Sequence, residues 1–175
     1  MSLLFILYII FSVIVLTLIF LFSYFNFLSV AMKGAFFAPS GKVLTDKMVA
    51  LAEIKPGDRV LDLGSGDGSQ VVALAKAGAV AYGYEINPIL VWWSRHKIWK
   101  AGLRGKAFIY RKNFWKTNLS DFDSIIMFGV YYMMPKMEEK LQKELKPGTK
   151  VISHYFTFPN WKPKKSLDNV HQYVK

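Results

Sequence analysis

Cysteine is absent, which excludes a disulfide framework, thiolate metal ligands and a cysteine nucleophile. Met1 to Met32 contain no Asp, Glu, Lys or Arg, so every charge lies from Lys33 onward. Acids are scarce even there: 12 Asp and Glu against 23 Lys and Arg give a formal net charge of +11 at pH 7. Such a chain favours an anionic neighbour, whether lipid headgroups, nucleic acid or an acidic protein. Charged residues total 20% and hydrophobic residues 53%, which excludes a disordered chain and is too apolar for a plain soluble domain. The 175 residues suffice for one ordinary domain and not for two. There is no internal repeat, no low-complexity linker and no Gly-Lys-Ser/Thr, so a P-loop is excluded.

Hydrophobicity concentrates between Leu3 and Leu28, interrupted only by Tyr8, Ser12, Thr17, Ser23, Tyr24 and Asn26. A helix rising about 1.5 Å per residue crosses the roughly 30 Å hydrocarbon layer in about 20 residues, so this run reaches across with some tilt. A cleaved signal would have a basic n-region and a shorter apolar stretch, and Ser29-Val30-Ala31 only loosely imitates a cleavage site. We read residues 1–32 as a retained single-pass membrane anchor and 33–175 as the functional domain. Lys33, Lys42 and Lys47 follow the span and no basic residue precedes it. The positive-inside rule then puts the N-terminus outside and the domain on the cytoplasmic side. Tyr24, Phe25, Phe27, Phe36 and Phe37 would supply an interfacial aromatic belt.

Beyond a connector ending at Pro39-Ser40-Gly41, helices and strands alternate. Helices are expected over Thr45–Ile54, Ser69–Ala77, Asn87–Ala101 and Pro135–Leu145. Strands are expected over Arg59–Leu63, Ala79–Glu85, Lys106–Arg111, Asp123–Phe128 and Thr149–Phe156, and one last strand within Leu167–Val174. Asn87 suits an N-cap and Pro88 the first helical position. This alternation predicts an α/β, Rossmann-like fold, a mostly parallel twisted sheet with helices on both faces. Its ligand edge lies at the carboxyl ends of the strands. With one strand after the fifth, the sheet is expected to be incomplete at one edge.

The chemistry concentrates at Asp62-Leu63-Gly64-Ser65-Gly66-Asp67-Gly68, a strand-to-helix junction where glycines let backbone approach a ligand. A dinucleotide fingerprint would need glycine at Ser69. An acid ahead of the glycines repels phosphate and suits a cationic or hydrogen-donating ligand. A second acid, Glu85, ends the next strand, where it can accept from ribose hydroxyls.

Asp-x-Gly-x-Gly-x-Gly after the first strand, with an acid ending the second, resembles the class I (seven-β-strand) S-adenosylmethionine-dependent methyltransferases. The likeness runs from about Phe36 to Trp161. Finer features are similar to the membrane-anchored protein lysine methyltransferases of the ATP synthase c-subunit and adenine nucleotide translocase type. These features are Phe36-Phe37-Ala38-Pro39-Ser40-Gly41, with Gly41 where that branch has a second proline, Ser153-His154-Tyr155-Phe156, and Pro159-Asn160-Trp161. The resemblance implies S-adenosylmethionine as cofactor. Gly64, Ser65 and Gly66 would approach its methionine part, which Asp62 would hold. Glu85 would bind the ribose, Asn87 and Pro88 would flank the adenine, and Asn113 would accept from the adenine amino group. Tyr155 stands where the branch has an acid, near its substrate side, with Pro39, Ser40 and Tyr132.

Methyl transfer from a sulfonium to an amine needs alignment and a neutral nucleophile, and no metal. A lysine with an ordinary pKa near 10.4 must first lose a proton, so an apolar or carboxylate-flanked channel is required. Tyr131, Tyr132 and Tyr155 could shape it. Catalytic candidates are His154, Tyr131 and Tyr155, with His154 open between a substrate-side and a structural role. Asp123 reads as structural, His96 as a packing residue and His171 as surface. From Arg95 to Lys116 there are basic residues and no acid, with Trp93, Lys97, Lys100 and Arg104 on one expected helical face. A solvated face is the plain reading. Given the anchor, an anionic lipid surface is the better specific partner, and nucleic acid ranks below it. The reading that follows is a membrane-anchored methyltransferase acting on a lysine of a membrane-protein substrate. A lipid or quinone methyltransferase and a non-catalytic cofactor-binding adaptor are the alternatives.

Overall fold

The computed structural model describes residues 3–31 and 41–175. Pro39 and Ser40, expected on the substrate side, lie outside them, as do Phe36 and Phe37. Contacts divide the chain into two compact units, Met1–Phe37 and Ala38–Lys175.

The first unit contains helix α1 (Leu3–Ala31). Its stretch Leu3–Tyr24 spans 22 residues at a mean hydropathy of 3.1, with none buried in the protein. Thr17 Oγ1 donates to the Val13 carbonyl at 2.8 Å, so this hydroxyl is satisfied within the helix, as hydrocarbon surroundings would demand.

The second unit runs α2 (Lys42–Ala52), β1 (Arg59–Leu63), α3 (Ser69–Lys76), β2 (Val80–Glu85), α4 (Pro88–Lys100), β3 (Ala107–Arg111), β4 (Ser124–Phe128), α5 (Met134–Glu144), β5 (Lys150–His154), β6 (Lys165–Leu167) and β7 (Val170–Val174). The sheet has seven strands in the order β3-β2-β1-β4-β5-β7-β6. Strands β1 to β5 pair in parallel, and β7 is antiparallel to both β5 and β6. Strand order reverses between β1 and β4, the crevice where open parallel sheets bind ligands.

Side chains alternate between two cores, as the two-residue period of a strand requires. Val60, Ile126, Ile152 and Val170 join a layer with Met48 of α2, Val71 and Leu74 of α3, and Val91 and Ile98 of α4. Leu61, Ile125, Met127, Val151 and Tyr173 face the other way, against Met137 and Leu141 of α5. Asp123 Oδ2 accepts the Arg59 amide at 2.7 Å, the structural role expected of it.

The expectation of an incomplete sheet is corrected. Leu167–Val174 divides into two strands with Leu167 opposite Val170, so Asp168 and Asn169 form a two-residue hairpin loop. Asp168 takes φ 50, the left-handed conformation such loops need and Asp tolerates. The entering strand β6 begins at Lys165, earlier than expected, because exposed Lys165 and Ser166 carry no burial signal.

Candidate cofactor and acceptor site

The first strand ends in a loop fixed mainly by its neighbours. The Gly64 and Ser65 amides both donate to the Tyr84 carbonyl, at 2.9 and 3.1 Å. The Gly66 amide donates to Glu85 Oε2 at 2.9 Å. Gly64, Gly66 and Gly68 have φ of 80, 52 and 75, values open to glycine and strained for most other residues. They differ in purpose. A Cβ at Gly64 would meet nothing within 4 Å, so its face is open to a ligand. A Cβ at Gly68 would stand 2.8 Å from Ser94 Cβ, so Gly68 serves the approach of α4.

Asp62 lies beneath this loop, nearly enclosed at 6% exposure. Burial first, then the charges of Glu85 and Asp67, push its carboxyl pKa up to about 8. An acid so placed is mostly protonated at neutral pH and regains its charge when a cation arrives. Glu85 is also buried, and its carboxylate accepts three amides: Gly66 on Oε2, and Ile86 and Asn87 on Oε1 at 2.7 and 2.8 Å. A carboxylate offers about four acceptor positions, so about one remains for a ribose hydroxyl.

Several expected ligand groups have prior engagements. Asn87 Oδ1 caps α4, accepting from Ile89 at 2.9 Å and Leu90 at 3.4 Å. Asn113 Oδ1 accepts the Trp115 amide at 3.0 Å in the short 3-10 turn after β3, leaving one lone pair for an adenine amino group. Ser65 gives its amide to Tyr84 and its carbonyl to the Gly68 amide. Its buried hydroxyl has no hydrogen-bond partner among the described residues and sits 2.5 Å from where a Cβ on Gly83 would be. Ser65 thus wedges the loop against β2.

Sequence reasoning missed Ser94 and Lys97. Ser94, fully buried in α4, has its Oγ 2.8 Å from the Gly66 carbonyl and 2.7 Å from the Leu90 carbonyl one turn back, its single proton shared between the two. Lys97 lies 2.6 Å from Asp67 Oδ2 and 2.8 Å from Ser69 Oγ. Burial pushes the Asp67 carboxyl up, but Lys97 and the Ser69 amide and hydroxyl outweigh it and hold it below its ordinary value. The available signal was one small polar residue between Val91 and Ile98 on the apolar face.

On the other side of the reversal, His154 ends β5 and Phe128 ends β4, paired in register with ring centroids 5.2 Å apart. Burial, then the neighbouring His171, lowers the His154 pKa below 6.5, and its enclosed Nδ1 has no partner among the described residues. Tyr131, Tyr132 and Tyr155 are 80%, 63% and 59% exposed. All stand at the carboxyl edge of the sheet, after β4 and β5. Tyr155 has φ 72, and its amide donates to the Asn169 carbonyl in the β6–β7 loop at 2.6 Å.

Three further expectations change. His96 is exposed, flanked by Trp92 and Trp99 at centroid distances of 6.1 and 5.3 Å, and is no core residue. His171 is half-buried and hydrogen-bonded to Ser166 Oγ at 2.9 Å. The basic helical face is not one face: α4 stops at Lys100, Lys97 is paired with Asp67, and Arg104 lies beyond the helix with its guanidinium over Trp99. Arg95, though exposed, spends its Nε and one terminal nitrogen on the Ile109 carbonyl.

A family model described as the ANTKMT methyltransferase domain matches residues 62–165. The chain belongs to this family. It is 42% identical over 127 residues to the ATP synthase c-subunit lysine N-methyltransferase of Rattus norvegicus, covering 73% of this chain and 58% of that protein. A protein-lysine N-methyltransferase of Saccharolobus islandicus is 35% identical over 133 residues, 75% of this chain and 83% of the relative. Among solved structures, an RNA methyltransferase from Salinibacter ruber, in complex with S-adenosyl-L-homocysteine, superposes with a TM-score of 0.74 at 30% identity, over 78% of this chain and 93% of that one. This chain therefore spans little more than half the length of the rat relative and most of the archaeal one.

Proposed function

We propose that this protein transfers a methyl group from S-adenosylmethionine to a lysine ε-amine of a membrane protein. The observation that carries the reading is the buried acid Asp62 beside the open face of Gly64, with Glu85 at the next strand end. These residues fit a nucleoside that bears a cation and hydroxyl donors. Asp62 would hold the amino-acid cation, Glu85 a ribose hydroxyl, and Asn113 the adenine amino group. S-adenosylmethionine supplies, when bound, an electrophilic methyl group on a positively charged sulfur.

The protein's part is to deliver a neutral amine in line. Tyr131, Tyr132 and Tyr155 form an exposed aromatic rim at the strand ends, suited to the aliphatic stem of a lysine. His154, whose pKa burial and His171 hold below its ordinary value, is the titratable ring at this edge proposed to take the amine proton as the acceptor is desolvated. The lysine-methylating names of the relatives support this acceptor class over a lipid or quinone. The complete seven-stranded sheet weighs against the adaptor reading, whose remaining support is Tyr155 in place of the branch's acid.

The apolar α1 supports a membrane anchor, and the basic residues following it support the cytoplasmic side for the domain. Radiolabelled S-adenosylmethionine, incubated with the protein and with membranes from a strain lacking the gene, should label a protein band. Mass spectrometry should place the methyl on a lysine. Label in the lipid extract alone would overturn the acceptor assignment.

A further inference from the structure

Helix α4 is apolar on two sides. Val91, Ser94 and Ile98 face the core. On the other side Ile89, Trp92, Trp93 and Trp99 stand 48%, 67%, 56% and 52% exposed. Large aromatic side chains rarely cluster in water without a partner. The ridge is continuous, because His96 lies between Trp92 and Trp99, its ring 14° from parallel to that of Trp92.

Charge identifies the partner. Lys100 ends the helix and Arg104 follows it, both exposed, and no Asp or Glu occurs between Ile86 and Leu119. Arg104 rests over the Trp99 ring at 5.7 Å, so cation and aromatic present one surface. Tryptophan with lysine and arginine is the composition of a helix lying in a lipid headgroup layer, with aromatic rings at the boundary and cations toward anionic headgroups. A spanning α1 would keep the second unit at a bilayer, where a weak surface contact is populated by effective concentration.

We infer that the outer face of α4, through Trp92, Trp99, Lys100 and Arg104, docks on the headgroup region of an anionic bilayer. The inference rests on the reading of α1 as a span and not on methyl transfer. It narrows the basic stretch to a defined surface, with Arg95 engaged by the Ile109 carbonyl and Lys97 by Asp67.

The full chain, which has no native thiol, can be labelled with an environment-sensitive fluorophore at His96→Cys, and at Glu139→Cys on α5 as control. Each is inserted into nanodiscs of brominated phosphatidylcholine, with or without phosphatidylserine. Severalfold stronger quenching is expected at position 96 than at 139, only with phosphatidylserine, and reduced by Lys100→Glu with Arg104→Glu or by Trp92→Ser with Trp99→Ser. Incorporation into discs without preferential quenching at 96 would overturn the docking and leave the span standing. Failure to incorporate into either disc would overturn both. Position 96 shielded only as the chain self-associates would assign the face to a second copy and overturn the lipid assignment.

Discussion

The Ser94 hydroxyl lies 2.8 Å from the Gly66 carbonyl, joining the buried face of α4 to the loop at the ligand edge. Ser94→Ala leaves a buried carbonyl without this donor, an expected loss of about 1–3 kcal/mol in stability. Cofactor affinity should fall with it, because Gly66 also carries the amide that meets Glu85. Chemical denaturation and calorimetry on the same preparation read the two effects. Equal stability in both proteins would mean the bond contributes nothing net.

Gly68→Ala combines a left-handed φ of 75 with a Cβ 2.8 Å from Ser94 Cβ. The backbone cost is about 1–2 kcal/mol and overpacking adds about 1–3. Measured against the Ser94→Gly single variant, which already lacks the bond to Gly66, Gly68→Ala should cost the backbone share alone, a split readable by thermal melts.

The raised Asp62 pKa, about 8 against 3.8, sets a pH dependence. An acid raised in the folded state stabilises it fully below pH 3.8, and that contribution is lost as pH rises through about 8. Asp62→Asn abolishes the loss, so the ligand-free variant should melt progressively higher than the parent from about pH 4 upward and level off above 8. At about 1.4 kcal/mol per pKa unit the plateau difference is of order several kcal/mol. The same variant should bind the cofactor more weakly. Melting curves that stay parallel across this range would contradict the burial argument.

Glu85 holds its own loop together beside its proposed role toward the cofactor. Glu85→Ala strips the acceptor from the Gly66, Ile86 and Asn87 amides, so it should destabilise the loop as well as weaken binding. Glu85→Gln keeps one acceptor oxygen. Its NH2 must face at least one of those buried amides, so it should lose about 1–3 kcal/mol of stability, less than Glu85→Ala, along with cofactor binding. Calorimetric titration beside a denaturant melt separates the two variants.

Tyr155 at φ 72 carries a backbone cost of about 1–2 kcal/mol. Tyr155→Gly relieves it and adds unfolded-state entropy of about 0.5–1 kcal/mol, so stability should change little. If the exposed ring guides an acceptor lysine, KM for that acceptor should rise while cofactor affinity holds. A large stability loss instead would make Tyr155 purely architectural.

What could be read from the sequence follows from which signals are local. Asp62 through Gly68 and Glu85 stand out because residue type and spacing bear directly on ligand chemistry, and β1 falls where its apolar run predicts. The β6 strand was hidden, since Lys165-Ser166-Leu167 is exposed throughout and owes its pairing to β7. Ser94 and Lys97 were hidden because their partners lie 28 and 30 residues away. His96 was misjudged because helical spacing identifies an apolar face without saying which of two such faces turns inward.

Strand β7, written last in the chain, is gripped on both flanks by β5 and β6, while β6 forms the outer hem. Trimming the tail therefore removes an inner plank, frees β6 and bares β5. Deleting residues 170–174 should abolish folding outright rather than fray one edge, because the enclosed Tyr173 ring packs edge-on against Phe158 and tilted against Trp161.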